Sequence, residues 1–209
     1  MTPRACWFAT FYLILSISAF AQESHVRVLV PIAIGEVPGA YDSVWTSKLW
    51  VRNPGATEAY FFANEPCSIL CPTPLLGAGM SRQVIFHPQA AGNPGFVMYV
   101  GSDADLSFNL RVQDLSRQAL TWGTEIPLVR EQSFTSKPIS LLNVPLDDRF
   151  RLMLRIYALE QEPGIVARVR VLRAHVLEGE TDTELASLDL PLDYSGDPVQ
   201  LPYVQVGDL

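Results

Sequence analysis

LSFNLRV, residues 106–112, decides the fold class. Leu106, Phe108, Leu110 and Val112 fall on one side of an extended chain, and Ser107, Asn109 and Arg111 on the other. Successive side chains of a β-strand face opposite ways, so this alternation suits a half-buried antiparallel strand; a helix would need apolar residues three and four apart. The pattern recurs along the chain. In RFRLMLRIY (149–157), Phe150, Leu152, Leu154 and Ile156 alternate with Arg149, Arg151 and Arg155. In SLDLPLD (187–193), Leu188, Leu190 and Leu192 alternate with Asp189 and Asp193. Pro191 cannot donate a ladder hydrogen bond, which places that last strand at an edge.

Turn signals separate these runs: Asn53-Pro54-Gly55, Asn93-Pro94-Gly95, Glu162-Pro163-Gly164 and Ser195-Gly196-Asp197-Pro198. Proline presets φ at a turn and glycine accepts positive φ, so such clusters end strands. Strands are expected near 26–34, 46–53, 57–63, 82–87, 96–101, 106–113, 138–143, 149–157, 165–175, 184–192 and 199–205, with no helix longer than two turns. Short strands with this punctuation predict an all-β protein built as an antiparallel β-sandwich.

SKLWVRN-PGA-TEAYFF (47–62) and RLMLRIY-ALEQEPG-IVARVRV (151–171) share a strand-turn-strand outline, each read as a hairpin. Their spacing of about a hundred residues matches the size of an Ig-like domain. The expectation is two Ig-like domains, 26–131 and 138–209, divided by the weakly patterned Val129–Lys137. The competing explanation is that hairpins of one sandwich resemble each other. The second unit is short enough to be incomplete, which would leave open ladder edges near the C-terminus for pairing with another chain.

The N-terminus has the layout of a secretory signal peptide: Arg4, an apolar run from Cys6 to Phe20, and a small-x-small site at Ala19-Phe20-Ala21. The run is short for a membrane span, which takes about 20 residues; an uncleaved anchor is the alternative. Removing the first 21 of 209 residues leaves 188, and losing Arg4 moves the net charge from −7 to −8. A mean hydropathy of +0.17 therefore reflects this segment and apolar strand faces rather than a second span. The acidic balance, 22 Asp and Glu against 15 Lys and Arg, argues against a nucleic-acid partner. A hydrophobic fraction of 48% argues against a disordered chain. The expected location is outside the cytoplasm: secreted, periplasmic or at the cell surface.

Export leaves two cysteines, Cys67 and Cys71, in EPCSILCPTP. In an oxidising compartment they read as a disulfide pinning a Pro-flanked loop. So small a loop gives less stabilisation than the ~3 kcal/mol that chain entropy assigns to a loop of about 15 residues. Free thiols or a redox or metal site are the alternatives.

The residues also carry a resemblance. VPGAYDSVWTSKLWVRNPGA, SDADLSFNLRVQDLSRQALTWGTEIPLV and LLNVPLDDRFRLMLRIYAL resemble a family of uncharacterised secreted bacterial proteins. Trp50-Val51-Arg52-Asn53, Arg111, Gly123, Ile126-Pro127 and Phe150-Arg151 occupy the family's patterned positions, over about 28–205. The resemblance implies tandem Ig-like β-sandwiches with no known activity, ligand or catalytic residues. It also implies a chain that continues past Leu209.

Chemical signatures are sparse. No serine-hydrolase elbow, zinc-protease helix, phosphate loop or dinucleotide-binding glycine pattern occurs. His25, His87 and His175 stand apart, and the acidic stretches GSDADL and EGETDTE read as solvated turns without EF-hand spacing. No catalytic residue, metal ligand or cofactor is expected. Two groups are candidates for ligand binding. Arg151 and Arg155, with Arg149, would share one sheet face with Arg168 and Arg170 if 149–157 paired with 165–175. Such a face is either a salt-bridge ladder with Asp189, Asp193 and Glu184 or a site for an anionic glycan or acidic partner. Trp45 and Trp50, with Trp122, are either core and interdomain packing or a sugar-stacking platform. The functional expectation is a non-catalytic structural or protein-binding role. A carbohydrate-binding module is the alternative, and an unrecognised extracellular hydrolase the second.

Overall fold

The computed structural model describes residues 25–39, 41–62, 75–84, 95–102, 104–117, 122–142, 144, 153–173, 182–196 and 200–207. The signal-like segment, the Cys67–Cys71 disulfide expectation, Arg149, Arg151, His87 and His175 lie outside them. The strands are β1 (His25–Val30), β2 (Val37–Pro38), β3 (Val44–Arg52), β4 (Ala59–Phe62), β5 (Leu75–Leu76), β6 (Ser81–Val84) and β7 (Phe96–Gly101), followed by β8 (Ser107–Asp114), β9 (Thr124–Ile126), β10 (Val129–Arg130), β11 (Met153–Tyr157), β12 (Val166–Arg173), β13 (Thr183–Pro191) and β14 (Tyr203–Gly207). Among the described residues the other regular elements are two 3-10 turns, Leu115–Arg117 and Glu131–Ser133. The all-β reading holds.

Two antiparallel sheets make up the N-terminal part. The first runs β10-β1-β7-β4-β5; the second runs β2-β3-β8-β9, with β6 also on β3. Their inner faces share one core, in which Val26, Val28, Val30, Phe61, Met98 and Val100 of the first meet Leu49, Val51 and Leu110 of the second. The register follows the alternation, with Val28 opposite Met98 and Leu49 opposite Leu110. β1 stops at Val30 because Pro31 has no N–H to continue the ladder.

The outer face of the first sheet is not left to water. Leu29 and Val97 point away from the shared core and are buried with Leu201, against Tyr99, Val129, Phe134 and Tyr157. Fully burying a valine or leucine contributes roughly 1.5–3 kcal/mol. Polar contacts seal this contact. The Tyr157 hydroxyl donates to the Pro31 carbonyl at 2.7 Å, and Arg155 donates to the same oxygen at 3.1 Å. Arg27 pairs with Glu131 at 2.9 Å and donates to the Leu159 carbonyl at 3.3 Å. The segment expected to separate two units begins as β10, paired with β1 through Val28–Arg130 and Leu29–Val129.

The C-terminal part consists of two two-stranded sheets, β11-β14 and β12-β13, linked by a bridge between Asp193 and Tyr203. β11 and β12 do not pair with each other, which corrects the expected hairpin across 151–171. The same correction applies to 47–62, because β3 and β4 lie in different sheets. Both segments are arches that carry the chain from one sheet to another. The expected strand at 138–143 is absent over 138–142, where Ile139, Leu141 and Leu142 are exposed and find no ladder partner.

Asn53 explains the first arch. Its side chain is buried, and its amide donates to the Thr57 carbonyl at 2.7 Å and the Leu76 carbonyl at 2.8 Å. Its Oδ1 accepts the Gly55 N–H at 2.9 Å, and its own N–H donates to the Met80 carbonyl. One residue thus ties β5 in the first sheet to the entry of β6 in the second. Asn53→Ala strands two carbonyls and an N–H, and should lower unfolding free energy by about 2–3 kcal/mol. Asn53→Asp should cost more, because a carboxylate would face two carbonyl oxygens. Urea midpoints measure both, and unchanged midpoints would reject this role for Asn53.

Candidate functional site

The sequence-nominated arginines do not form one face. Arg155 lies on β11, while Arg168 and Arg170 lie on β12 in a different sheet. Arg168 makes two hydrogen bonds to Asp189, at 2.7 and 2.9 Å, across the register pair that joins them. Arg170 reaches Glu184 at 2.7 Å. The Arg168 hydrogen bond holds the Asp189 carboxyl below the ordinary carboxylate range. These pairs are exposed and screened, so they set the ribbon's surface charge more than its stability. Arg155 donates to the Gln205 side chain at 2.6 Å and to Pro31, as a strut between the two parts of the chain.

The tryptophans separate too. Trp45 and Trp50 project from opposite faces of β3, being five residues apart on a period-two strand. Trp50 is half-exposed on the outer face, between Gln83 of β6 and Asn109 of β8 in the register. The described C-terminal residues pack on the other sheet, so among the described residues Trp50 lacks the interdomain contact the sequence suggested. Trp122 is exposed just before Gly123.

Trp45 sits at the rim of the sandwich, opposite Asp114. With Tyr41, Ser43, Val112, Asp114, Arg117, Gly123 and Thr124 it lines an open cavity of about 360 Å³. Its indole N–H donates to the Ser43 hydroxyl at 3.0 Å. The pyrrole edge of the ring lies so close to Gly39 that a Cβ there would stand 2.6 and 2.7 Å from Cδ1 and Nε1. Gly123 has φ +82° and its Cβ position is occupied by the Val112 carbonyl, so only glycine fits. In the turn before β3, Tyr41 and Asp42 both have positive φ, 57° and 58°.

Asp114 is the electrostatic centre of this rim. Its side chain is buried, and Oδ1 accepts the Ser116 hydroxyl at 2.6 Å, the Ser116 N–H at 3.0 Å and the Val44 N–H at 3.2 Å. Oδ2 has Arg117 Nε at 3.6 Å. The Ser116 hydroxyl bond, with the two N–H groups and Arg117, outweighs burial and lowers the Asp114 pKa below its ordinary value. Sequence reasoning nominated Trp45 and missed Tyr41, Asp114 and Arg117. The available signal was Asp114-Leu115-Ser116, an aspartate placed to cap its own backbone two residues on.

Among the described residues the ladder at β14 is one-sided. Tyr203 exchanges both backbone hydrogen bonds with Asp193, at 2.7 and 3.1 Å, so its N–H and carbonyl point away from β11. The Pro202 carbonyl points the other way and accepts from Ala158. By alternation, Val204 and Val206 face β11, while Gln205 and Gly207 present their backbone groups on the Tyr203 side. No strand of the described residues continues there past Tyr203.

A carboxylate with a lowered pKa stabilises the fold fully above its ordinary range, and that contribution is lost as pH falls through its folded value. Asp114→Asn should therefore flatten the acid limb of a melting-temperature profile relative to the wild type. Parallel curves below the ordinary carboxylate range would contradict this role.

Among the described residues no group of three or more His, Cys, Asp or Glu is placed to hold a metal ion, and no helix is long and apolar enough to cross a membrane. The chain matches no family model, no curated protein and no solved structure.

Proposed function

We propose that this is an exported, non-catalytic protein with two tandem Ig-like β-sandwich units, which binds a protein partner by accepting a strand at β14. The signal-peptide layout and the resemblance to secreted bacterial proteins support the export and the tandem architecture. The observation that carries the binding role is the side of β14 that no described strand pairs beyond Tyr203, where Gln205 and Gly207 turn their backbone groups away from β11. An unpaired edge is a template for an added strand, and recognition of this kind takes affinity from main-chain hydrogen bonds.

The surroundings fit such an occupant. β14 is short and uncharged, YVQVG, with no lysine or proline inside it to blunt the edge. Met153 on β11, opposite Gly207 of β14, is exposed, and the neighbouring β12-β13 ribbon exposes Val166, Leu172, Leu185 and Leu188. A two-stranded ribbon is marginal alone, and a third strand along its open edge adds what it lacks. The occupant is an extended segment of a partner with apolar residues at alternate positions, not a second copy, because a net charge of −7 opposes self-association at long range.

Proline at Gln205 removes one outward N–H and leaves the β11-β14 ladder hydrogen bonds intact, but it also removes the side chain that accepts from Arg155, so Gln205→Ala, which loses only that side chain, is the reference. Ten-residue peptides selected from a displayed library on the wild type should alternate apolar residues, bind Gln205→Ala, and lose affinity at least tenfold for Gln205→Pro relative to Gln205→Ala. Equal binding by both variants would refute strand addition at this edge. So would a wild-type dimer in sedimentation with the Gln205 and Gly207 amides protected from exchange.

A further inference from the structure

The rim cavity in the N-terminal part lies on the second sheet, whereas the described C-terminal residues pack on the first, so it is distinct from the β14 edge. We propose that it is a carbohydrate-binding site, taking the pyranose rings of a neutral glycan by stacking on Trp45 and Tyr41 and by hydrogen bonds to Asp114 and Arg117. Its volume of about 360 Å³ is at the small end of ligand sites, which pair apolar walls with a few placed polar groups.

Three features point to this class of ligand. First, Trp45 is 39% exposed and lines the cavity. Its N–H is committed to Ser43 and its edge is fixed against Gly39, so the indole can stack but cannot donate. Second, Tyr41 is 93% exposed at φ 57°. A bulky residue in the left-handed region is strained where glycine would not be. An aromatic ring held in solvent at that cost, on the lip of a cavity, is suited to contact a ligand.

Third, the polar wall offers an acceptor beside donors. Three donors saturate Asp114 Oδ1, whereas Oδ2 has only Arg117 near it, 3.6 Å away, among the described residues. The Arg117 side chain is 66% exposed. A carboxylate oxygen next to a guanidinium matches adjacent sugar hydroxyls, each of which both donates and accepts. The carboxylate also disfavours an anionic ligand, which selects neutral sugars.

The test is an array of neutral hexose, pentose and N-acetylhexosamine oligosaccharides, with titration of any hit by tryptophan fluorescence and a proline-rich peptide in parallel. The wild type should bind at least one glycan class, and Trp45→Ala should weaken that binding about tenfold or more, the loss of one stacked ring. Trp45→Ala also removes packing on Gly39, so Tyr41→Gly is the second variant. It relieves the positive-φ strain and should hold or raise the melting temperature while weakening the glycan at least threefold. Trp50→Ala, on the far face of β3, should leave binding unchanged. No glycan bound above the Trp45→Ala background overturns the proposal, as does binding that survives both rim variants. Binding of the peptide in place of sugar overturns it as well. None of these results bears on Gln205→Pro, which reads the other surface.

Discussion

The double burial of β1 and β7 is the constraint on which the rest of the molecule depends. HVRVLV and FVMYVG carry apolar residues on both faces, so the first sheet cannot end against water on either side. Val26, Val28, Val30, Met98 and Val100 turn toward the second sheet, and Leu29 and Val97 toward the C-terminal part. A strand buried on both faces reads as a near-continuous apolar run, and such a strand belongs in the middle of layered structure. The Pro31 carbonyl, freed where β1 must stop, becomes the acceptor that Tyr157 and Arg155 share. Burial raises the Tyr157 hydroxyl above its ordinary pKa despite Arg155 beside it, which keeps it a donor to that carbonyl.

Against this centre the two ends of the molecule differ in how completely they are satisfied. The N-terminal sandwich has its arch stitched by Asn53, its rim capped by Asp114 and its core closed. The C-terminal part has ribbons of two strands each, exposed leucines and a one-sided β14. Surfaces of these two kinds suit different ligands: a rigid rim with placed polar groups suits a small polar molecule, and an open ladder suits another chain.

Much of the strand content was legible because period-two alternation is local. LSFNLRV, RFRLMLRIY and SLDLPLD announce strands without reference to anything distant, and Asn53-Pro54-Gly55 announces a change of direction. Whether that change makes a hairpin or an arch is not local. It depends on where Leu76 and Met80 lie, since their carbonyls capture Asn53. The candidate site was legible only at Trp45. Tyr41 and Arg117 carry no pattern of their own, and they meet Trp45 because β3 and β8 pair in a register that sets Trp45 opposite Asp114.

By itself the sequence determined an all-β chain, the faces of its strands and the sites of its turns, because these follow from the pleat and from the backbone limits of proline and glycine. The partners of those strands were decided by tertiary structure alone. Arg155 parted from Arg168 and Arg170 because β11 pairs with β14 and β12 with β13. Pairing satisfies backbone groups that are chemically alike in every strand, so only the competition to bury apolar faces chooses among them.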